Sequence, residues 1–439
     1  MQLDARALNI RSMVEPDRVH RLCYTDPEIF QREMDLIHER TWIYVGHESQ
    51  VKKPGDYWTT FIGREPVIMV RGTDHKVHVL YNRCPHRGAM LCPDHHGNAG
   101  KVFRCTYHAW QFHLDGKLES LPIPKGYEGT RLTADNPDAN IKPVARVESY
   151  RGFVFANLSS EGPDLLAHLG RTKAAFDDLC DRAPEGEVDV VATCFRMVQK
   201  SNWKLFLENQ IDGVHPAVVH ESTGKAATEV ERKYEKRTGK KPPLSYHYIS
   251  AFNVPIEKFG ELQTTGHPHG HCTLEGYMGL RPKDPETLEY EKVMHKHYGK
   301  QRTEEILGVN LHHVLIYPCL SVQSPLQQLR AVRPLAVDRT LTEIWHFRLK
   351  GAPEPIYRRA LDYYYLVNAP STMINADDLD NFWRCHEGLR HEGGDWVSFH
   401  RNAGQDPVVD GITRSVVGSS EAPMRNMFKA WAEYMSEEN

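Results

Sequence analysis

Long apolar runs are missing from this chain. The longest, such as VLIYPCLSV, are the size of a core strand and fall far short of the roughly 20 residues that cross a bilayer. The opening MQLDARALNI carries an acid early and has no apolar segment of signal-peptide length, so no secretory leader is expected. Charge of one sign is also absent: a net charge of −4 gives no basic surface for nucleic acid. Nine cysteines lie scattered through 439 residues, without the density of a disulfide framework, and point to a reducing cytoplasm. There is no internal repeat, no low-complexity tract and no GxGxxG at a strand–helix junction, so the chain is not expected to bind a nicotinamide or flavin nucleotide itself. What remains is a globular composition, 40% hydrophobic and 26% charged, in a chain long enough for two or three domains.

Within that plain background, four residues stand out: Cys84-x-His86 in CPHRG and Cys105-x-x-His108 in CTYHAW. Two thiolates and two imidazoles suit one small inorganic centre. Zinc fingers group like ligands together, Cys with Cys and His with His. Here each loop carries one of each, the arrangement of a Rieske [2Fe–2S] cluster, in which two Cys hold one iron and two His the other. A zinc site remains the alternative and would be free of sulfide.

A second constellation lies in NWKLFLENQIDGVHPAVVHEST, where Asp212, His215 and His220 follow one another closely. Asp212 and His215 share a face if the segment is one helix. His215 and His220 do not, and Pro216 predicts a break at His215 where a new segment begins, letting the imidazoles converge. Two His and one carboxylate make the facial triad of non-haem Fe(II) oxygenases, with open positions for dioxygen. STMINADDLDNF offers Asp377, Asp378 and Asp380 as the missing carboxylate, or as simple caps and turns.

Along the chain, residues 1–40 read as a helical segment packing on the larger domain, with TDPEIFQREMDLIHERTW as its clearest part. Residues 41–155 read as a small β domain, with PVIMVR and KVHVLY around the turn GTDH and an Asp-Gly turn in FHLDGKLES. Residues 156–439 read as a mixed domain with helices from PDLLAHLGRTKAAFDDLC onward and strands in LHHVLIYPCLSVQSP and LTEIWHFRL. RKYEKRTGKKPP reads as a solvated loop, with a lid or docking patch as the alternative. HPHGHC reads as a loop rather than a metal tract. At most one of His312 and His313 faces a pocket, and Tyr363, Tyr364 and Tyr365 read as packing.

FQREMDLIHERTWIYVGHESQVKKPGDY, NRCPHRGAML, RCTYHAWQF and NWKLFLEN together resemble the large (α) subunits of Rieske non-haem iron ring-hydroxylating oxygenases over nearly the whole chain. The resemblance implies an α+β fold, a small all-β Rieske domain plus a larger catalytic domain with an antiparallel sheet flanked by helices. It implies a [2Fe–2S] cluster on Cys84, His86, Cys105 and His108, and a mononuclear Fe(II) on His215, His220 and Asp378, with Asp377 the substitute ligand. Asp212 takes the catalytic role of an electron bridge from His215 to the partner subunit's His108; a plain capping Asp is the alternative. Asn209 is a further candidate to face the iron, or else a surface residue with Glu208. Three departures stand out. The loop holding Cys92 and HHGN is about one residue longer than usual, so a longer surface loop is expected, with Cys92 a small buried hydrophobe. Ala109 replaces a common Gly, and Val214 replaces an aromatic.

The implied activity is that of a terminal oxygenase. It takes electrons from a separate reductase, with or without a ferredoxin, and uses O2 to hydroxylate an aromatic compound, foremost by cis-dihydroxylation. Monooxygenation, including N- or O-demethylation or hydroxylation of choline- or carnitine-like substrates, is the runner-up. A ring trimer is implied, α3 or α3β3 with a small β subunit. A bare electron carrier or a zinc-stabilised binding protein would have no use for the second constellation.

Overall fold

Glu65–Arg71 and Val77–Tyr81 pair as an antiparallel hairpin, from Val67 opposite Tyr81 to Arg71 opposite Val77. The turn between them is the expected GTDH, with His75 at φ +63°. They belong to a computed structural model that describes residues 10–132, 136–276, 281–309 and 311–436, without the side chains of 192, 193, 311 and 312. Backbone contacts divide it into two units, Met34–His168 and Met1–Glu33 with Leu169–Asn439.

The Met34–His168 unit is built of strands. The hairpin continues through Asp56–Ile62 to His96–Asn98, so the last three residues of HHGN form a short edge strand where a surface loop was expected. A second sheet holds Val102–Arg104, Gln111–His113 and Leu118–Ser120. A third holds Arg146–Tyr150, Phe153–Asn157 and Ile43–His47. Ile68, Val70, Leu80, Phe103 and Phe112 turn inward and meet Cys84 and Cys105 in one apolar cluster, which seats both cysteine loops on a rigid floor. This unit extends beyond the expected 41–155 range at both ends.

The larger unit carries a nine-stranded antiparallel sheet. Its order is Val188–Gln199, Arg339–Leu349, Gln328–Ala336, Leu320–Gln323, Leu311–Ile316, Cys272–Glu275, Gln263–Gly266, Ile412–Arg414 and Val408–Val409. Helices Trp203–Ile211, Met373–Leu389 and Ala422–Ser436 belong to the same unit. The N-terminal segment joins this unit by charge and packing. The buried Glu33 carboxylate accepts from Trp203 Nε1 at 2.8 Å and Trp431 Nε1 at 2.7 Å, and pairs with the buried Lys204 ammonium. One carboxylate thus fastens three distant segments.

Two expectations change. Residues before 40 are helical only in part: Leu22–Thr25, Pro27–Glu33 and a π-turn at Met34–His38 are preceded by a hairpin of Val14–Glu15 and Arg18–His20. That hairpin is completed by Trp396–Ser398, a partner too distant in sequence to be anticipated. RKYEKRTGKKPP is not a loop over its first half. Arg232–Thr238 ends the helix Glu221–Thr238, supported by ion pairs of Glu229 with Arg232 and Lys233 and stopped by Gly239 at φ +64°. HPHGHC is a short 3-10 turn, Pro268–Gly270, between the strands Gln263–Gly266 and Cys272–Glu275, as a loop should be. No helix among the described residues is long and apolar enough to cross a membrane.

Candidate active site

The two cysteine loops fold alike. Cys84 N–H donates to Ala89 O at 2.8 Å and Gly88 N–H to Cys84 O at 2.9 Å; Cys105 N–H donates to Trp110 O at 2.9 Å and Ala109 N–H to Cys105 O at 3.0 Å. The closing residue of each loop is left-handed, Gly88 at φ +75° and Ala109 at φ +55°. Gly is favoured there because it has no Cβ, so Ala109 occupies a conformation that costs an L-residue energy.

The loops bring His86 and His108 edge to face, with ring centroids 4.5 Å apart, over buried Cys84 and Cys105. Trp110 stacks on His86 at 4.8 Å and fixes its ring. Burial, together with the neighbouring Cys105, pushes the Cys84 thiol up to about 11, so a cation is what would make it a thiolate. Both His86 Nδ1 and His108 Nδ1 are buried without a hydrogen-bond partner. Two orphaned nitrogens beside two buried thiols fit a cluster held by two His and two Cys. Asn82 ties the adjoining loop down, accepting from Leu91 and Cys92 N–H at 3.0 Å each and donating to Cys92 O at 2.7 Å. Cys92 is buried, as expected, and burial pushes its thiol up to about 12.

In the larger unit, Asn202 caps the helix Trp203–Ile211 by accepting from Lys204 N–H at 3.2 Å. That helix ends at Asp212, and a new one, His215–Val219, begins with Pro216 in its first turn, the break Pro216 predicted. Asp212 and His215 therefore do not meet on a helix face. Asp212 instead caps the new turn, accepting from Val214 N–H at 3.1 Å and His215 N–H at 2.8 Å. A Cβ on Gly213 would lie 2.5 Å from the Gly418 carbonyl oxygen, which explains the small residue in this tight connection.

One atom each from His215, His220 and Asp378 lie within 4.8 Å of one another. Asp378 Oδ1 is 3.3 Å from His220 Nε2 and 3.8 Å from His215 Nε2. The opposite ring nitrogens face other carboxylates: His215 Nδ1 is 3.1 Å from Asp212 Oδ2, and His220 Nδ1 is 3.6 Å from Asp377 Oδ2. The Asp212 carboxylate holds the ring proton of His215 on Nδ1 and leaves its Nε2 free to ligate, while His220 Nδ1 has no hydrogen-bond partner; the set fits one divalent metal. Asp377 stands outside the cluster and Asp378 within it, both carried by the helix Met373–Leu389, which Thr372 caps. Asp380 pairs outward with Arg384. Burial works against the charge on Asp212, yet His215 and then Arg401, 3.6 Å away, hold its carboxyl below the usual range. Glu208 behaves oppositely: burial outweighs the Tyr24 hydrogen bond and Lys204 and pushes its carboxyl up to about 8.

Asn209 also belongs here, its Nδ2 lying 2.9 Å from His215 Nε2 and 3.2 Å from Asp378 Oδ1. Behind it runs a polar network with no counterpart in the sequence reading. Gln210 Nε2 donates to Asn209 Oδ1 at 3.0 Å, and Gln210 Oε1 accepts from Arg330 Nη1 at 2.7 Å. Arg330 also donates to Gln323 at 2.6 Å and Gln328 at 2.8 Å; these two reach His313 and His346. Burial pushes the Arg330 guanidinium down to about 10, against the pull of Tyr363, Asp378 and Tyr364. The available signal was a run of polar residues at interior positions of otherwise apolar strands. Tyr364 stacks on Phe195 at 4.1 Å and Tyr363 meets Tyr248 edge-on at 5.3 Å, the expected packing. The His312 side chain lies outside the described residues.

Residues 41–142 match the Rieske [2Fe-2S] domain, and residues 187–437 the catalytic domain of the ring hydroxylating alpha subunits. The toluate 1,2-dioxygenase subunit alpha of Pseudomonas putida is 33% identical over 398 residues, covering 88% of this chain and 83% of that protein. The 2-halobenzoate 1,2-dioxygenase large subunit of Burkholderia cepacia is 30% identical, covering 88% and 80%. Among solved structures, naphthalene 1,2-dioxygenase with indole in its active site superposes with a TM-score of 0.80 at 25% identity, covering 98% of this chain and 96% of that one. The Rieske cluster and the mononuclear iron of such enzymes fit the two donor sets described above. The chain belongs to the ring-hydroxylating oxygenase α subunits, with a Rieske [2Fe-2S] domain followed by the catalytic domain.

Proposed function

We propose that this protein is the large subunit of a terminal oxygenase that cis-dihydroxylates an aromatic ring. The observation that carries the reading is the meeting of His215, His220 and Asp378 donor atoms in one cluster, in a chain that also holds the Cys84, His86, Cys105 and His108 set. Bound in these two sites, the cluster would supply single electrons and the Fe(II) would supply dioxygen activation. The side chains do the rest. His215 and His220 present Nε2 with Asp378 beside them, three protein donors that leave the other coordination positions open. Asp212 holds the His215 proton at Nδ1, and Asp377 lies at the corresponding nitrogen of His220.

The relatives named for toluate and 2-halobenzoate oxidation support an aromatic substrate. In an α3 or α3β3 ring, Asp212 would also reach the partner subunit's His108 and connect the two centres. Electrons would arrive from a separate reductase, directly or through a ferredoxin. A reducing cytoplasm, where such a cluster can be assembled on thiolates, is the compartment this reading implies.

Turnover of a panel of aromatic compounds under 18O2, with a surrogate reductase, tests this. A cis-diol carrying both labelled oxygens is expected. A singly labelled or demethylated product would favour the monooxygenase reading, and no oxidised product at all would contradict both.

A further inference from the structure

Arg330 breaks a rule that the other buried arginines of its unit obey. Arg182 pairs with Asp178 at 2.9 Å and Arg333 with Glu343 at 3.3 Å. Arg330, only 7% exposed, makes no ion pair with any described carboxylate. Its three acceptors are the side-chain oxygens of Gln210, Gln323 and Gln328, all neutral and all buried. Amides satisfy hydrogen bonds but do not neutralise charge, so a cation held this way retains much of its desolvation cost.

The charge also stands next to the site. Gln210 bonds Asn209, and Asn209 touches both His215 Nε2 and Asp378 Oδ1, so two side chains separate the guanidinium from the candidate iron ligands. Of the five N–H groups of a guanidinium, the three bonds to glutamine occupy one on Nε and one on each Nη. One N–H on each Nη remains, the fork that matches the two oxygens of a carboxylate.

We propose that Arg330, held by Gln210 and Gln323, is the anion-recognising end of the substrate pocket, and that the aromatic substrate carries a carboxylate. This rests on the dihydroxylase reading above and narrows its substrate class. A carboxylate would accept from both Nη groups and supply the missing counter-charge, fixing which edge of the ring is turned toward His215, His220 and Asp378. A quaternary ammonium substrate would meet a like charge instead.

The test is binding to anaerobically purified, iron-loaded protein, measured by calorimetry with benzoate and 2-naphthoate, each against its neutral amide. The wild-type protein should bind the acids at least about tenfold tighter than the amides, and Arg330→Gln should weaken only the acids, by about tenfold to a hundredfold, as loss of a charge-assisted pair implies. If Arg330→Gln does not fold, Gln323→Leu gives the same comparison and should weaken the acids more than the amides. Acids bound no better than amides by the wild-type protein, or equal weakening of both ligands in a variant, would overturn the proposal and leave Arg330 a strut of the sheet. Binding needs no turnover, so the two readings fail separately. A labelled diol from naphthalene without selective acid binding removes the carboxylate and keeps the dihydroxylase. Selective acid binding with no ring oxidised does the reverse.

Discussion

Asp212 makes contacts that a mere surface cap would not need. It accepts two backbone N–H groups, faces His215 Nδ1 and lies near Arg401, so it orients a candidate ligand and is itself held ionised. Asp212→Ala should keep both metals and lower turnover by up to about a hundredfold, in line with the loss of an outer-sphere carboxylate. Iron analysis and steady-state rates on one preparation check this, and wild-type rates would remove Asp212 from the electron path. Asp378 and Asp377 are separated by geometry: Asp378→Ala should lose the mononuclear iron with the cluster's visible absorption intact, whereas Asp377→Ala should retain it. These residues were legible in the sequence because metal chemistry restricts donors to few residue types at short spacings. The Arg330 network was not, since glutamines at the interior of a strand carry no distinctive spacing and acquire meaning only when strands pair.

At the scale of elements, local rules served where a break or turn residue decided the backbone. Pro216 ended one helix and opened another, and the GTDH turn set the register of its hairpin. They misled where composition was used in place of pairing. The basic stretch Arg232–Thr238 is helical because i,i+4 charges and an αL glycine support it, not because of hydropathy. Asp212 and His215 meet through a turn although their spacing suits a helix face. Within the helix Trp203–Ile211, Glu208 offers a pH test. Its carboxyl is raised from 4.5 to about 8, so the folded state binds a proton that the unfolded chain has released. The associated stability is complete below 4.5 and is lost as pH rises through about 8. Glu208→Gln should therefore flatten the decline of melting temperature between those values; an unchanged slope would show that the group does not titrate there.

Across the whole chain, order in the larger unit depends on contacts that no window of sequence contains. Glu33 joins segments beginning near residues 203 and 422, and its pairing with buried Lys204 makes it costly to remove. Glu33→Ala would leave a buried ammonium unmatched and should destabilise by about 3–5 kcal/mol, read from urea unfolding. A loss below 1 kcal/mol would mean that water already reaches the pair. The nine-stranded sheet was likewise legible as strands but not as an order, because its neighbours are drawn from residues 188 to 414. The central claim is that one chain carries both inorganic centres. Iron and acid-labile sulfide per chain on anaerobically purified protein, with an EPR spectrum after reduction, test it most directly. The account predicts about three irons and two sulfides with a Rieske-type signal. Zinc without sulfide, or two irons with no third at any loading, would contradict it.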